Sequence, residues 1–292
     1  MRAKDILDLV ILAAVWGASF LFMRIAVPEF GPIAMIELRV VIATLFLLPV
    51  LLLRDSTTAL RTNWKKLFAI GAVNSAVPFC LLAYSTLFLS AGFAAILNAT
   101  APLFAAVIAW AWLSENLNPS RVVGLAVGIA GVIVLVWDKV SLTLDGVSMA
   151  VLAAIVASLF YGIGGNYTKR FMSGVSALTI ATGSQAGAAV VLLPLAIWRW
   201  PQEPVSTMAW VTVIVLGVVS TGIAYILYFR LIANVGPSKA ITVTFLTPAF
   251  AMLWGAVFIG EAVTASMIGG CAIILSGTAL ATGLVSVGGR RD

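Results

Sequence analysis

The chain has no histidine, only two cysteines and little charge: Asp, Glu, Lys and Arg together make up 10% of its 292 residues. The missing histidine removes imidazole metal ligands, Ser-His-Asp catalysis and histidine proton relays. Cys80 and Cys271 both stand inside apolar runs, which suits neither a disulfide framework nor a thiolate metal site. No metal and no cofactor is expected. The scarcity of charge excludes a soluble fold, because a water-exposed domain of this size carries about a quarter charged residues. With 62% apolar residues, the chain belongs in lipid. The basic excess, 17 Lys and Arg against 11 Asp and Glu, would suggest nucleic acid in a soluble protein. Here the positives sit between apolar runs and read as topology determinants facing anionic lipid, so lipid and not nucleic acid is the expected partner.

What is present is a succession of spans. Breaking the chain at Pro, Gly and charge clusters leaves ten runs of spanning length, at about 6–27, 32–53, 67–89, 91–113, 121–137, 147–168, 176–198, 207–229, 237–259 and 264–286. The predicted class is all-α membrane protein with ten transmembrane helices. The first run follows Arg2 and Lys4 as a signal peptide would, but it continues to Val27, long enough to span and longer than an ordinary signal core. Placing the N-terminus in the cytoplasm puts Arg2, Lys4, Arg54, Arg61, Lys65, Lys66, Arg121, Lys169, Arg170, Arg230, Lys239, Arg290 and Arg291 on that side. Only Lys139, Arg199 and Arg24 fall on the other. The positive-inside rule then sets both termini in the cytoplasm. An odd number of spans would scramble this split.

The sequence also repeats. Trp16-Gly17 matches Tyr161-Gly162 and Arg24 matches Lys169 at an offset of 145. At 146, Arg39 aligns with Gln185, Gly71 with Gly217, Pro102 with Pro248, Glu115 with Glu261, Gly124 with Gly270 and Gly131 with Gly277. Two halves follow, residues 1–140 and 141–292, of five helices each. Five is odd, so the second half enters the membrane in the opposite sense. The halves are then inverted repeats about an axis in the membrane plane, as in secondary transporters whose solute site lies at the repeat interface.

Trp16-Gly17, Arg39, the stretch from Ala95 through Asn98 and Pro102 to Glu115, and the stretch from Thr244 through Pro248 to Glu261 resemble the paired EamA repeats of the drug/metabolite transporter superfamily. The Pro-to-Glu spacing is the same in both halves, and the resemblance covers nearly the whole chain. Within that superfamily the chain looks most like the YddG-type exporters of aromatic amino acids. The resemblance implies ten spans and a bacterial inner-membrane location. It also implies a central cavity lined by helices one to four and six to nine, with helices five and ten outside. Gln185 stands where the first half has Arg39, so any role of that arginine is not duplicated.

Candidate residues follow from position. Pro102 and Pro248 fall about eleven residues into their spans, where a proline frees carbonyls and bends the helix; they are the candidate gating pair. Glu115 and Glu261 each stand just before the next helix, where a carboxylate accepts bonds from exposed N–H groups, and are read as structural clamps. Glu37 and Arg39 are the only ionisable pair well inside a run, and residues two apart on a helix do not face each other. Arg39 either contacts a substrate carboxylate or anchors a neighbouring helix, and it is grouped with the structural residues. No acidic residue lies near a span centre, so no cation site or proton relay is evident. Most tryptophans fall near interfaces and form the belt, but Trp16 is central. With Ser19, Asn74, Tyr84, Asn98, Tyr161, Tyr225 and Thr244 it makes up the candidate substrate-binding set, a neutral amphipathic lining.

Such a lining suits net-neutral, partly apolar small molecules, amino acids and aromatic ones first, exported by alternating access. The alternatives are drug-like or nucleoside metabolites and a non-transporting scaffold. An enzyme would need a nucleophile with its base, a metal set or a carboxylate cluster, and none is present. The protein is expected to act as a monomer or weak dimer.

Overall fold

Backbone groups in lipid must be satisfied within their own segment, which leaves helices as the only economical form for these runs. The computed structural model describes residues 2–54, 57–137, 139 and 145–285, and no strand occurs among them. Its principal helices are α1 (Ala3–Arg54), α2 (Trp64–Phe88), α3 (Ala91–Leu113), α4 (Pro119–Val136), α5 (Gly146–Phe171), α6 (Ala177–Trp198), α7 (Thr207–Val235), α8 (Val243–Ile259) and α9 (Ala265–Ala281). The first seven are long and apolar enough to cross a membrane; α8 and α9 are shorter apolar helices of 17 residues each.

α1 spans 52 residues, about 78 Å if straight, more than twice a hydrocarbon core of about 30 Å. It is not straight. Gly31, between Pro28 and Pro32, has φ 72° and ψ 160°, a conformation that a side chain would resist. It divides α1 into a first arm, residues 3–30, and a second, residues 32–54. Ser220 and Thr221, adjacent in α7, show that the arms lie side by side: Ser220 donates to the Val15 carbonyl on the first arm, and Thr221 accepts from Arg39 on the second.

Two expected boundaries shift. The run at 237–259 is broken: a short helix Pro237–Ala240 is followed by a turn at Ile241 and Thr242 before α8 begins. The β-branched series Ile241, Thr242, Val243 and Thr244 is stiff, and the Thr242 and Thr244 hydroxyls donate to carbonyls three residues back, tightening the turn. The run at 264–286 ends early because Gly283, at φ 76°, closes α9, with the Val285 amide bonded back to Ala279. The half boundary expected at 140/141 lies outside the described residues.

Contacts between the halves come in reversed pairs. A Cβ on Gly17 would lie 2.7 Å from Phe250 Cβ, and one on Gly162 would lie 2.8 Å from the Ala105 nitrogen, next to Phe104. Gly71 meets Ser184 and Ala188, while Gly217 meets Ile42 and the Arg39 carbonyl. Between α4 and α9, Gly124 packs on Ala281 as Gly270 packs on Leu135, and Gly131 packs on Ile274 as Gly277 packs on Gly128. Most of these residues are replaced in the reverse contact by their repeat counterparts, such as Ala188 by Ile42 and Ala281 by Leu135, whereas Ser184 and Arg39 are one residue out of register. Small residues make these contacts close, because helices in lipid associate by packing. The π-helical segments Ala72–Ala76 in α2 and Val218–Ile223 in α7 begin at the same repeat position.

Candidate functional site

The two π-segments turn short polar side chains toward the other half. Thr221 donates its hydroxyl to the Leu216 carbonyl five residues back, as the wider helical turn permits, and accepts Arg39 Nε at 2.9 Å. Its counterpart Ser75 accepts Gln185 Nε2 at 3.0 Å. One geometry thus occurs twice, with a cation in one copy and an amide in the other.

Arg39 is 6% exposed, and among the described residues no carboxylate lies within 4 Å of it. The guanidinium carbon sits 3.9 Å from the centroid of the Phe79 ring, a cation–π contact. Phe79 is in turn 6.2 Å from Tyr161, and Tyr161 and Tyr225 both lie near enough to Arg39 to feel its charge. A cavity of about 350 Å³ is lined by Val50, Arg54, Leu178, Ile226, Phe229 and Arg230; of these, Phe229 stacks on Tyr225 at 5.8 Å.

The structure brings Arg39, Tyr161 and Tyr225 together. Trp16 is half-buried and packs on Tyr228 at 5.2 Å. Asn98 ends the first segment of α3, and its Oδ1 is buried with no hydrogen-bond partner among the described residues. Asn74 packs against Gly164. Ser19 donates to the Val15 carbonyl of its own helix, Thr244 donates to the Ile241 carbonyl in the turn before α8, and Tyr84 packs on Phe88, which touches Gly146. Sequence reasoning passed over Phe79, and it passed over Trp254, whose indole donates to the Ala14 carbonyl at 2.9 Å. The polar pairing through Ser75 and Thr221 carried a signal, since both are mid-span and related by the repeat offset.

The prolines are not equivalent. Pro102 lies in the first turn of Ala101–Leu113, just after α3 is interrupted at Ala99 and Thr100. Pro248 lies inside α8, well past the turn at Ile241 and Thr242. The expected pair of matching bends is therefore two different breaks. Pro102→Ala is expected to slow turnover more than it weakens solute binding, which single-turnover flux against equilibrium binding would measure.

The glutamates also differ from expectation. Neither caps the helix that follows it: Asn118 and Thr264 do that. Glu261 instead accepts the Ala91 amide, at 2.9 Å and 3.1 Å, from the start of α3, and pairs with Arg24 at 3.4 Å. Arg24 also donates to the Thr86 and Leu87 carbonyls that end α2. Glu115 pairs with Lys169 and Arg121. Both glutamates thus tie one half to the other. In the second half the position matching Ala91 is Pro237, which has no amide hydrogen to offer Glu115. The Glu261 side chain is 14% exposed and that of Glu115 is 32% exposed. Buried charge-assisted bonds are worth about 1.5–3 kcal/mol, and exposed ion pairs about 0–1. Glu261→Ala is accordingly expected to lower the thermal midpoint clearly and Glu115→Ala to leave it nearly unchanged, by thermal melts of the purified protein. The bond from Lys169 holds the Glu115 carboxyl below the usual carboxylate range, whereas burial holds that of Glu261 above it. Acidification therefore protonates Glu261 first, and the Glu115 pair is lost only as pH falls through its lowered pKa.

Residues 5–137, and again 148–283, match the EamA-like transporter family. The chain belongs to this family. Among its relatives, the uncharacterized transporter YoaV of Bacillus subtilis (strain 168) is 23% identical over 94% of this chain and 95% of its own length. A protein of Streptantibioticus cattleyicolor named probable terminal-alkyne amino-acid exporter is 23% identical over 95% of this chain and 93% of its own. A crystal structure of a protein 20% identical to this chain matches it with a TM-score of 0.68, covering 97% of this chain and 99% of that one, which establishes likeness of fold. The EamA chain described here is thus a multi-pass integral membrane transporter of the drug/metabolite transporter superfamily.

Proposed function

We propose that this EamA protein exports small, net-neutral amphipathic solutes across the bacterial inner membrane, amino acids and aromatic ones first, by alternating access. The observation that carries the reading is Arg39: a buried cation with no protein carboxylate at hand among the described residues, set against Phe79, Tyr161 and Tyr225. Burying an unpaired charge is costly, and a transporter recovers that cost when the solute supplies the anion. A carboxylate would sit on the guanidinium and an apolar or aromatic body among the rings, with Asn98 Oδ1 as an acceptor for an ammonium group. The name of the S. cattleyicolor relative is consistent with amino-acid export.

The path is the interface between two five-helix repeats of opposite topology, residues 1–140 and 141–292, with ten spans and both termini in the cytoplasm. The division of α1 at Gly31 supports the count, and the reversed contact pairs support the two-fold relation. Trp16, Asn74, Tyr161 and Tyr225 line the route and the Pro102 and Pro248 regions move. Glu261 with Arg24, and Glu115 with Lys169, fasten opposite ends. Counterflow in proteoliposomes holding only this protein, with labelled amino acids and nucleosides, tests the reading. Exchange of phenylalanine or another apolar amino acid is expected; no exchange of any amino acid would overturn it. Trp16→Ala is expected to reduce that exchange with little change in folded yield, and equal loss of both would make Trp16 a packing residue.

A further inference from the structure

Glu37 is the other deep ionisable group. It lies on the second arm of α1, two residues before Arg39, and is 5% exposed, with its Oε2 buried and without a hydrogen-bond partner among the described residues. Of the elements packed against that arm, α2 presents the Cys80 thiol to Glu37 and carries Tyr84 a turn further along. α5 brings Tyr161 and α7 brings Tyr225 on the side of Arg39, while Tyr228 of α7 packs on Trp16. α3, α6 and α8 carry no titratable residue. Among the described residues no base is paired with Glu37 to hold it ionised, and an unpaired carboxylate oxygen inside a membrane is poorly tolerated. Arg39 cannot serve, since positions two apart point to different faces and its guanidinium is held by Thr221 and Phe79.

We propose that Glu37 is a proton-binding site linked to the solute site: a carboxylate-bearing solute binds Arg39 together with one proton on Glu37. This rests on the reading of Arg39 as the solute's anion partner. Proton binding converts the Glu37 carboxylate to the neutral acid with no other bond changed. An ionised Glu37 one half-turn from Arg39 repels the arriving carboxylate through a medium of low dielectric constant, and protonation removes that repulsion. Two unit charges about 10 Å apart at an effective dielectric constant of about 20 differ by roughly tenfold in affinity. By linkage the solute raises the proton affinity by the same factor.

The test is calorimetric titration of the purified full chain with phenylalanine, in buffers of different ionisation enthalpy and across about pH 5 to 8. Wild type is expected to take up a proton on binding and to bind about tenfold tighter at the acid end. Glu37→Gln is expected to bind at the tight level throughout with no proton uptake. Wild type binding without proton uptake would overturn the inference, and needs no variant; so would a Glu37→Gln protein that keeps the pH dependence. If binding is lost in Arg39→Met while the pH dependence survives Glu37→Gln, only the proton site falls. If no carboxylate solute binds at all, the solute reading falls with it.

Discussion

Arg39→Met is expected to abolish most transport while leaving the protein as stable as before, or more so. Among the described residues the buried arginine has no carboxylate within 4 Å and makes one side-chain hydrogen bond, to Thr221. Thr221 keeps its own bond to Leu216 without it. Methionine fills similar space against Phe79 and removes an uncompensated charge, and replacing buried charge by apolar volume is often neutral or stabilising. A solute carboxylate deprived of its buried partner loses about 2–5 kcal/mol, roughly thirtyfold or more in affinity. Equilibrium binding and a thermal melt on the same sample separate the two effects. A residue that merely anchored α7 to α1 would show the opposite result: a lower melt and unchanged affinity.

Gly277→Leu is expected to have the largest effect on folding. Gly277 faces the Gly128 backbone and the Gly124 carbonyl across α4 and α9, at a distance that leaves no room even for a Cβ. The three nearest atoms are all backbone, so none of them can swing aside. Overpacking a close interface costs about 1–3 kcal/mol where side chains can adjust, and more is expected here. Size-exclusion chromatography after membrane extraction should show loss of the monodisperse peak for Gly277→Leu and an intermediate loss for Gly277→Ala. Gly269→Leu, on the same helix with nothing within 4 Å of its Cβ, should elute as wild type. If all three behaved alike, the close α4–α9 contact would be wrong.

Much of this architecture was legible because lipid simplifies the rules. Apolar runs bounded by Pro, Gly and charge gave the helices, and the 145- and 146-residue offsets gave pairs such as Gly124 with Gly270, which pack as counterparts. What stayed hidden depends on side chains meeting across the halves. Nothing in the local sequence tells that Glu261 reaches Ala91 and not the helix that follows it, because that choice is made by which helix end arrives nearest in space. The unequal breaks near Pro102 and Pro248 were equally hidden: Thr242 and Thr244 tighten their turn upstream of Pro248, and the first half has Ile96 and Asn98 at the matching positions. Phe79 looked like any apolar residue of α2 until the charge of Arg39 was seen above its ring.

The opposed orientation of the two halves is tested most directly by labelling a matched pair of positions. Asn116 and Ala262 are repeat counterparts, exposed, and each one residue beyond its glutamate. In a background with Cys80 and Cys271 replaced by serine, a membrane-impermeant thiol reagent should reach Asn116→Cys only from the cytoplasmic side and Ala262→Cys only from the other. Labelling of both from the same side would contradict the inverted arrangement, and with it a shared solute chamber at the two-fold interface.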